Sequence, residues 1–326
     1  MSNYLYLAQR AVRAHGLWIT ALLTVAVFFG LFLFGDAGAV VDAVQRLDWW
    51  RIGVVFALVT ISYGVRFLKW DFYLRELNID VPVKTSLLVF VSGLMMVVTP
   101  GKAGEVWKAW FLRDLQDVPI NQTASIVGAE RVTDMLALAA FAFLGVLVFE
   151  QSSTTLVAVT ALFVGGIVLL QWRTACLRIL NTARIVPILG SHIGTVRDFY
   201  ENTYTLFRPW PLSVSMGVSL IAWGLEGLAF WIILDGFVSD PSMTLALFVF
   251  GLGSVIGAAS LLPGGLAATE ASMVGMLVIF EYSRTVAVSS TLVIRVATLW
   301  YGALLGTTVF LLYRSKQNRK KNPNQS

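Results

Sequence analysis

Long apolar stretches constrain this chain more than any other feature of its sequence. A helix needs about 20 apolar residues to cross the hydrocarbon core of a bilayer. Hydrophobic residues make up 57% of the chain and charged residues only 13%, whereas a typical soluble chain has about 25% charged residues. We therefore predict an all-α polytopic membrane protein with about six full spans. The predicted spans are residues 17–34, 52–70, 120–149, 154–172, 212–234 and 286–313.

Two further apolar stretches, residues 85–112 and 244–280, are interrupted by proline and glycine, which break helices. The halves on either side of each break are short. We therefore predict two re-entrant helical hairpins, each returning to the side that it enters from, although the longer halves of the second also allow full spanning. The residues that break these hairpins are Pro100, Gly101, Pro263, Gly264 and Gly265.

The basic residues indicate the orientation. With the N-terminus placed in the cytoplasm, the outer side receives three basic residues, Arg46, Arg51 and Arg284, and three more lie inside membrane segments. The remaining 18 of the 24 basic residues then lie on the cytoplasmic side, and they include Arg66, Lys69 and Lys108. Cytoplasmic loops of membrane proteins carry an excess of lysine and arginine. We therefore predict that both termini are cytoplasmic.

The two halves of the chain repeat one pattern. Arg131 follows Pro100 by 31 residues, Arg295 follows Pro263 by 32, and a glutamate follows each break. The two hairpins are predicted to open to opposite sides, so the repeats are inverted, and broken helices in inverted repeats indicate a transport site near the midplane. The predicted single transmembrane domain has a first repeat at about 52–149, a connector at about 173–211, a second repeat at about 212–313 and a disordered basic tail at 314–326.

Charged residues inside predicted spans are the candidate site. Each costs about 2.5–3.5 kcal/mol on insertion scales, so such residues normally face a bundle interior or a wet cavity. The planar fork of arginine suits phosphate oxygens, and a glutamate is a candidate proton carrier. The alternative is that they are structural ion pairs that lock the hairpins to the spans. The predicted substrate-binding residues are Lys102, Glu105, Arg131, Asp134, Glu270 and Arg295, and the secondary polar candidates are Glu130 and Glu226.

Several classes of site and partner are excluded by residue counts. A single cysteine, Cys176, rules out an intrachain disulfide framework and a cysteine metal cluster. His15 and His192 are too few to complete a zinc or haem site, so no metal and no cofactor is expected. The net charge of +5 is spread over helix ends and does not indicate nucleic acid. The sequence has no ATP-binding P-loop, so transport would be downhill or ion-coupled.

These motifs together resemble a known family. Residues 99–105 read TPGKAGE, residues 130–134 read ERVTD, and the PGG at residues 263–265 is followed by Glu270. This pattern is similar to that of the flippase-like family named for the transmembrane region of lysylphosphatidylglycerol synthase. The resemblance extends over nearly the whole chain, about residues 15–313. The sequence departs from the family at residues 267–269, where AAT replaces a glycine-rich approach to the glutamate.

The resemblance implies a function in lipid movement. In the protein that gives the family its name, this region moves an aminoacylated phospholipid that a separate soluble domain makes. Here the largest soluble stretch is about 40 residues, around residues 186–207, so the family pattern implies a stand-alone lipid translocase rather than an enzyme. Its substrate would be a phospholipid or a polyprenyl-phosphate-linked lipid.

The implied partners are anionic or polyprenyl-phosphate membrane lipids, with a lipid-synthesis enzyme and a second copy of the chain as further candidates. The implied location is the bacterial inner membrane. Two alternatives stay open at this point. One is a small-solute secondary transporter, because inverted repeats and midplane charges suit it equally well. The other is a membrane-embedded lipid-modifying transferase.

Overall fold

The computed structural model describes residues 25–98, 105–148 and 193–321, and this part of the chain contains helices and no strand. The helices are α1 (Val25–Phe34), α2 (Ala37–Gln45), α3 (Trp49–Glu76), α4 (Val83–Gly93), α5 (Trp107–Gln116), α6 (Ile120–Val148), α7 (Ile193–Leu206), α8 (Pro209–Asp235), α9 (Met243–Ala259), α10 (Ala268–Ile279), α11 (Arg284–Arg295) and α12 (Tyr301–Lys321). Short 3₁₀ segments at Leu94–Val98 and Pro263–Gly265 and a π-helical turn at Val296–Trp300 complete the chain path.

Four helices are long and apolar enough to cross a membrane. They are α3, α6, α8 and the continuous run Arg284–Gln317, which joins α11 to α12 through the π-helical turn. Each covers one of the predicted spans, so the predicted multi-pass helical architecture is confirmed at these four places. Helix α3 differs in extent, because it begins at Trp49 and ends at Glu76 rather than at residues 52 and 70.

The first predicted span is described only from Val25, and it does not continue straight. Between α1 and α2 the chain bends by 95°. The bend is centred on Asp36, whose φ of 62° is left-handed and whose carboxylate accepts a hydrogen bond of 3.2 Å from the Gly38 N–H at the start of α2. The predicted span at residues 154–172 lies outside the described residues, as does most of the connector.

The two stretches predicted as hairpins are built from short helices. Helices α4 and α5 form the first, and α9 and α10 form the second, and each helix is shorter than the about 20 residues needed to cross a bilayer. The second break is at Pro263–Gly265 as predicted, where Gly264 and Gly265 have φ values of 59° and 67° that favour glycine. The first break, Pro100-Gly101, lies outside the described residues.

The two stretches predicted as hairpins contact each other. The 3₁₀ segment Leu94–Val98, just before the first break, packs against the Pro263–Gly265 segment of the second. Around them α8 packs along α3, α9 packs along α6, and α9 packs against α10. Close approach depends on small residues. At Gly257 of α9, any side chain would overlap the hydroxyl of Thr269 on α10.

The basic C-terminal segment corrects one expectation. Residues 314–326 are predicted as a disordered tail, but α12 continues to Lys321. The segment contains no glycine or proline before residue 323. Because lysine, arginine and glutamine have good helix propensity, the last span extends as a polar helix.

Candidate functional site

A cavity of about 330 Å³ lies at the centre of the molecule, between the two hairpins and the spans α3, α6 and α8. Ten of its described lining residues are charged. The described lining residues include five basic and five acidic side chains, so their formal charges cancel. The basic residues are Arg66, Lys69, Lys108, Arg131 and Arg295, and the acidic residues are Glu105, Glu130, Asp134, Glu226 and Glu270.

The two halves of the chain contribute matching ion pairs. The Nε of Arg295 donates to Glu270 Oε1 over 2.5 Å, and another guanidinium nitrogen donates over 2.7 Å to the carbonyl oxygen of Gly264 in the hairpin break. In the first half Arg131 Nε lies 2.8 Å from Glu105 Oε2, as an ion pair without hydrogen-bond alignment. In each half, therefore, the glutamate of a hairpin holds the arginine of a span.

A lysine that is predicted on the cytoplasmic side lies in this cavity. The Nζ of Lys69 is 2.5 Å from Asp134 Oδ1 and donates to Ser219 Oγ over 2.8 Å. The side chains of Lys69 and Asp134 are 1% and 5% exposed. Arg131 approaches the other oxygen of Asp134 at 3.8 Å. Asp134 is therefore shared between two cations and connects α3, α6 and α8.

A second unpredicted lysine, Lys108 of α5, lies beside the first pair. Its Nζ donates to Glu130 Oε2 over 2.7 Å and lies 4.5 Å from the ring centre of Trp70. The aliphatic part of Lys108 crosses α4 at Gly93, where a Cβ atom would lie 2.6 Å from Lys108 Cγ. The ammonium group can therefore reach Glu130 only because that position has no side chain.

An arginine stacked on a tryptophan forms the third feature of the lining. The guanidinium of Arg66 lies 3.9 Å from the ring centre of Trp223 and donates to Glu226 Oε1 over 2.7 Å. The hydroxyl of Ser62 donates to the same carboxylate oxygen over 2.9 Å. A cation over an indole face is favourable, so Trp223 and Glu226 together fix the position of Arg66.

The placement of Arg66, Lys69 and Lys108 corrects the charge assignment made from the sequence. All three are predicted on the cytoplasmic side. Arg66 and Lys69 instead line the cavity because α3 runs on to Glu76 and packs against α6 and α8, and Lys108 lines it from α5. The number of basic residues assigned to the cytoplasmic side therefore falls from 18 to 15, whereas three are assigned to the outer side. The cytoplasmic orientation of both termini stays a prediction.

A signal for two of these residues was present in the sequence. Ser62, Arg66, Lys69 and Tyr73 are spaced by four, three and four residues, which places them on one face of a helix. This polar face is overlooked when Arg66 and Lys69 are interpreted as the basic end of a membrane span. No comparable pattern marks Lys108, whose burial depends on packing between helices.

Of the predicted site residues, all but one are brought together in the cavity. Lys102 lies outside the described residues. The secondary candidates Glu130 and Glu226 are buried, as are the primary carboxylates Glu105, Asp134 and Glu270. Among the described residues, no three His, Cys, Asp or Glu side chains are grouped so that they could hold a metal ion.

Comparison with known sequences decides the family. The family model of the lysylphosphatidylglycerol synthase TM region matches residues 18–306. The chain belongs to this family. The resemblance predicted from the TPG, ER and PGG motifs is thereby confirmed. The name of the family refers to a synthase, which points to a possible enzymatic context for its members.

Relatives of the lysylphosphatidylglycerol synthase TM region family match most of the chain. A UPF0104 membrane protein of Methanothermobacter thermautotrophicus is 26% identical over 311 residues, which cover 87% of this chain and 90% of that protein. A UPF0104 membrane protein of Pyrococcus horikoshii is 24% identical over 323 residues, covering 90% and 96%. Both organisms are archaea, and both names state only that the protein is in a membrane. The family and the apolar helices together make this chain a multi-pass membrane protein.

Proposed function

We propose that the protein is a membrane lipid translocase that moves a phosphate-bearing headgroup between leaflets through the central cavity, without ATP. The observation that carries this proposal is the combination of ten charged side chains inside the cavity with exposed leucines at its edge. Leu261 and Leu262, next to the second break, line the cavity and are 69% and 37% exposed. A polar site that opens beside an exposed apolar surface suits an amphipathic substrate.

The size of the cavity supports a headgroup rather than a whole lipid. Ligand sites are typically about 300–1,000 Å³, and this cavity, at about 330 Å³, is at the lower end of that range. The acyl chains would stay outside, against the apolar surface formed by residues such as Leu261 and Leu262. The headgroup alone would then enter the charged interior.

The arginines are the proposed phosphate ligands. A guanidinium has five N–H donors, and Arg131 and Arg295 each use only some of theirs on a hairpin glutamate. A phosphate entering the cavity would exchange with the carboxylates Glu105 and Glu270 for these donors. Arg66 presents a third guanidinium to the same cavity. The phosphate would pass from one of these guanidinium groups to the next, so the headgroup would cross the cavity with a hydrogen-bond donor at every step.

The proposal includes the membrane arrangement. The hairpins enter from opposite sides, their breaks meet near the midplane, and both termini are cytoplasmic. The contact between the Leu94–Val98 and Pro263–Gly265 segments supports a common meeting point. A bacterial inner membrane is part of the proposal on the family pattern alone, since the relatives described above are archaeal. Glu105 and Glu270 are the proposed proton carriers if movement is coupled to an ion.

The small-solute transporter remains the second candidate, because balanced charges in a central cavity also suit a soluble zwitterion. A cavity enclosed by protein on all sides would favour it. The exposed leucines at the cavity edge favour a lipid instead.

The test is lipid movement in reconstituted vesicles. Purified protein is placed in vesicles that contain a lipid with a fluorophore on one acyl chain, and a membrane-impermeant reductant is added outside. A translocase lets the reductant bleach fluorescence beyond the outer-leaflet share. We expect Arg295→Ala and Arg295→Lys to slow this second phase, because the lysine keeps the charge but loses the planar fork.

The matched control is Arg46→Ala, since Arg46 is exposed and outside the cavity. Gel filtration before reconstitution verifies that each variant is folded, and equal amounts of each variant are then placed in the vesicles. Bleaching that stops at the outer-leaflet share with wild-type protein would contradict the translocase. Wild-type rates for both Arg295 variants would contradict the phosphate role of the arginine and leave it as a structural partner of Glu270.

A further inference from the structure

The charge balance of the cavity bears on which headgroup it accepts. Among the described lining residues every cation is held in an ion pair with a carboxylate. An anion that binds one of these cations displaces its carboxylate and leaves that carboxylate buried without a partner, which is costly. A headgroup that also carries a cation reduces this cost, because its own positive charge compensates the negative charge that the phosphate brings into the cavity.

One buried carboxylate oxygen lacks the donor that such a cation would supply. Glu270 is fully buried, and while its Oε1 accepts from Arg295, its Oε2 has no hydrogen-bond partner among the described residues. Buried polar atoms are nearly always satisfied. A carboxylate oxygen is an acceptor only, so its missing partner is a donor, and an ammonium group supplies three N–H donors and a positive charge.

Two donors that line the same cavity also lack partners in the described part of the chain. The Nε of Arg66 and the indole Nε1 of Trp223 are buried and make no hydrogen bond there, and the two side chains are stacked on each other. Both atoms donate only, so their missing partner is an acceptor. Phosphate oxygens fit this role and gain from the positive charge of Arg66.

We propose that the cavity selects a zwitterionic phospholipid headgroup, with its phosphate at Arg66 and Trp223 and its ammonium at Glu270. Binding then adds no net charge to a cavity whose described charges cancel. The inference rests on the proposed translocase function and names its substrate class. It departs from the anionic or polyprenyl-phosphate lipid implied by the sequence motifs, because a zwitterionic headgroup carries no net charge.

The experiment compares two headgroups on the same acyl chains. Vesicles contain chain-labelled phosphatidylethanolamine, which is zwitterionic, or chain-labelled phosphatidylglycerol, which is anionic, at equal density. We expect wild-type protein to move phosphatidylethanolamine faster by about tenfold or more, the effect of one charge-assisted hydrogen bond. Uptake of water-soluble phosphoethanolamine into the same vesicles is measured alongside.

A charge change at Glu270 tests the geometry. Glu270→Gln removes the negative charge facing the ammonium and leaves Arg295 without its carboxylate, so the ratio of phosphatidylethanolamine to phosphatidylglycerol rates should fall at least severalfold. Trp223→Phe keeps an aromatic face for Arg66 and removes the indole donor, so it should slow both lipids and leave their ratio unchanged. The matched control is Glu281→Gln, an exposed glutamate outside the cavity, which should change neither rate.

The outcomes separate the two proposals. Movement of phosphatidylglycerol as fast as phosphatidylethanolamine, with an unchanged ratio in Glu270→Gln, overturns the zwitterionic selection but keeps the translocase. Uptake of phosphoethanolamine without movement of either lipid keeps the zwitterionic site but shows that its ligand is a soluble molecule rather than a lipid, which overturns the translocase. Movement of none of the three overturns both proposals.

Discussion

Replacing Lys69 with methionine is the sharpest test of what holds the three central spans together. The change removes the ammonium and keeps a side chain of similar length. In the folded protein it leaves Asp134 buried, with the hydrogen bond of 3.1 Å from Ser219 Oγ and Arg131 at 3.8 Å as its remaining partners. The loss is therefore electrostatic rather than a loss of packing.

The magnitude follows from the burial of the pair. Removing one partner of a buried ion pair costs about 3–5 kcal/mol, and we expect the lower end because Arg131 still faces Asp134. For 326 residues the unfolding entropy is about 0.7 kcal/mol/K, from about 2.1 cal/mol/K per residue. A loss of about 3–5 kcal/mol then lowers the melting temperature by about 4–7 °C.

The assay is the fraction of protein that stays monodisperse in detergent after heating, followed by gel filtration. Arg75→Met is the matched control, because Arg75 forms an ion pair with Asp71 at 2.6 Å while its side chain is 73% exposed. An exposed pair contributes about 0–1 kcal/mol, so this variant should lose no more than about 1.5 °C on the same scale.

The double variant Lys69→Met/Asp134→Leu decides the cause. It removes both charges, and replacing a whole buried pair with apolar residues is often neutral or stabilising. It should therefore be more stable than Lys69→Met alone. The reasoning is refuted if Lys69→Met has the same melting temperature as Arg75→Met. It is also refuted if the double variant is less stable than Lys69→Met by a further amount as large as the loss in Lys69→Met itself.

Three further variants test local contacts by the same melting assay. Gly257→Ala should lose about 1–3 kcal/mol from overlap with the hydroxyl of Thr269; Gly257→Ala/Thr269→Ala should recover most of it, and no recovery would show that the contact is not the cause. Tyr63→Phe removes the 2.5 Å hydrogen bond to the Thr298 carbonyl and should lose about 1–3 kcal/mol; an unchanged melting temperature would contradict this bond. Ser242→Ala removes the N-cap of α9 and should lose about 1 kcal/mol, whereas Ser242→Asn should keep the cap; equal losses in both would contradict the capping role.

The hairpin glutamates and span arginines were found from the sequence because their signals are local. A charge within an apolar run is costly, so Arg131 and Arg295 are conspicuous in the printed sequence. The Pro-Gly breaks identify the stretches that contain Glu105 and Glu270. The nearly equal distances along the sequence from each break to the following arginine then relate the two halves of the chain. The sequence does not show that each arginine pairs with the glutamate of its own hairpin, because that requires the position of one helix relative to another.

The positions of Arg66 and Lys69 are not predicted correctly from the sequence. A basic residue near the end of an apolar stretch normally extends to the membrane surface, and the sequence alone favours that interpretation for both. The structure instead extends α3 by six residues beyond the predicted end, to Glu76. Its polar face then packs against α6 and α8, where Asp134 and Glu226 provide counter-charges.

The sequence by itself determined the helical membrane class, four of the spans, the second break and the matching arginines, because hydropathy and helix breakers act over a few neighbouring residues. Only the tertiary structure decided that the described cavity charges are balanced. That balance depends on Arg66, Lys69 and Lys108 leaving water, and a lysine or arginine does so only where packing brings a carboxylate from another helix to within hydrogen-bonding distance.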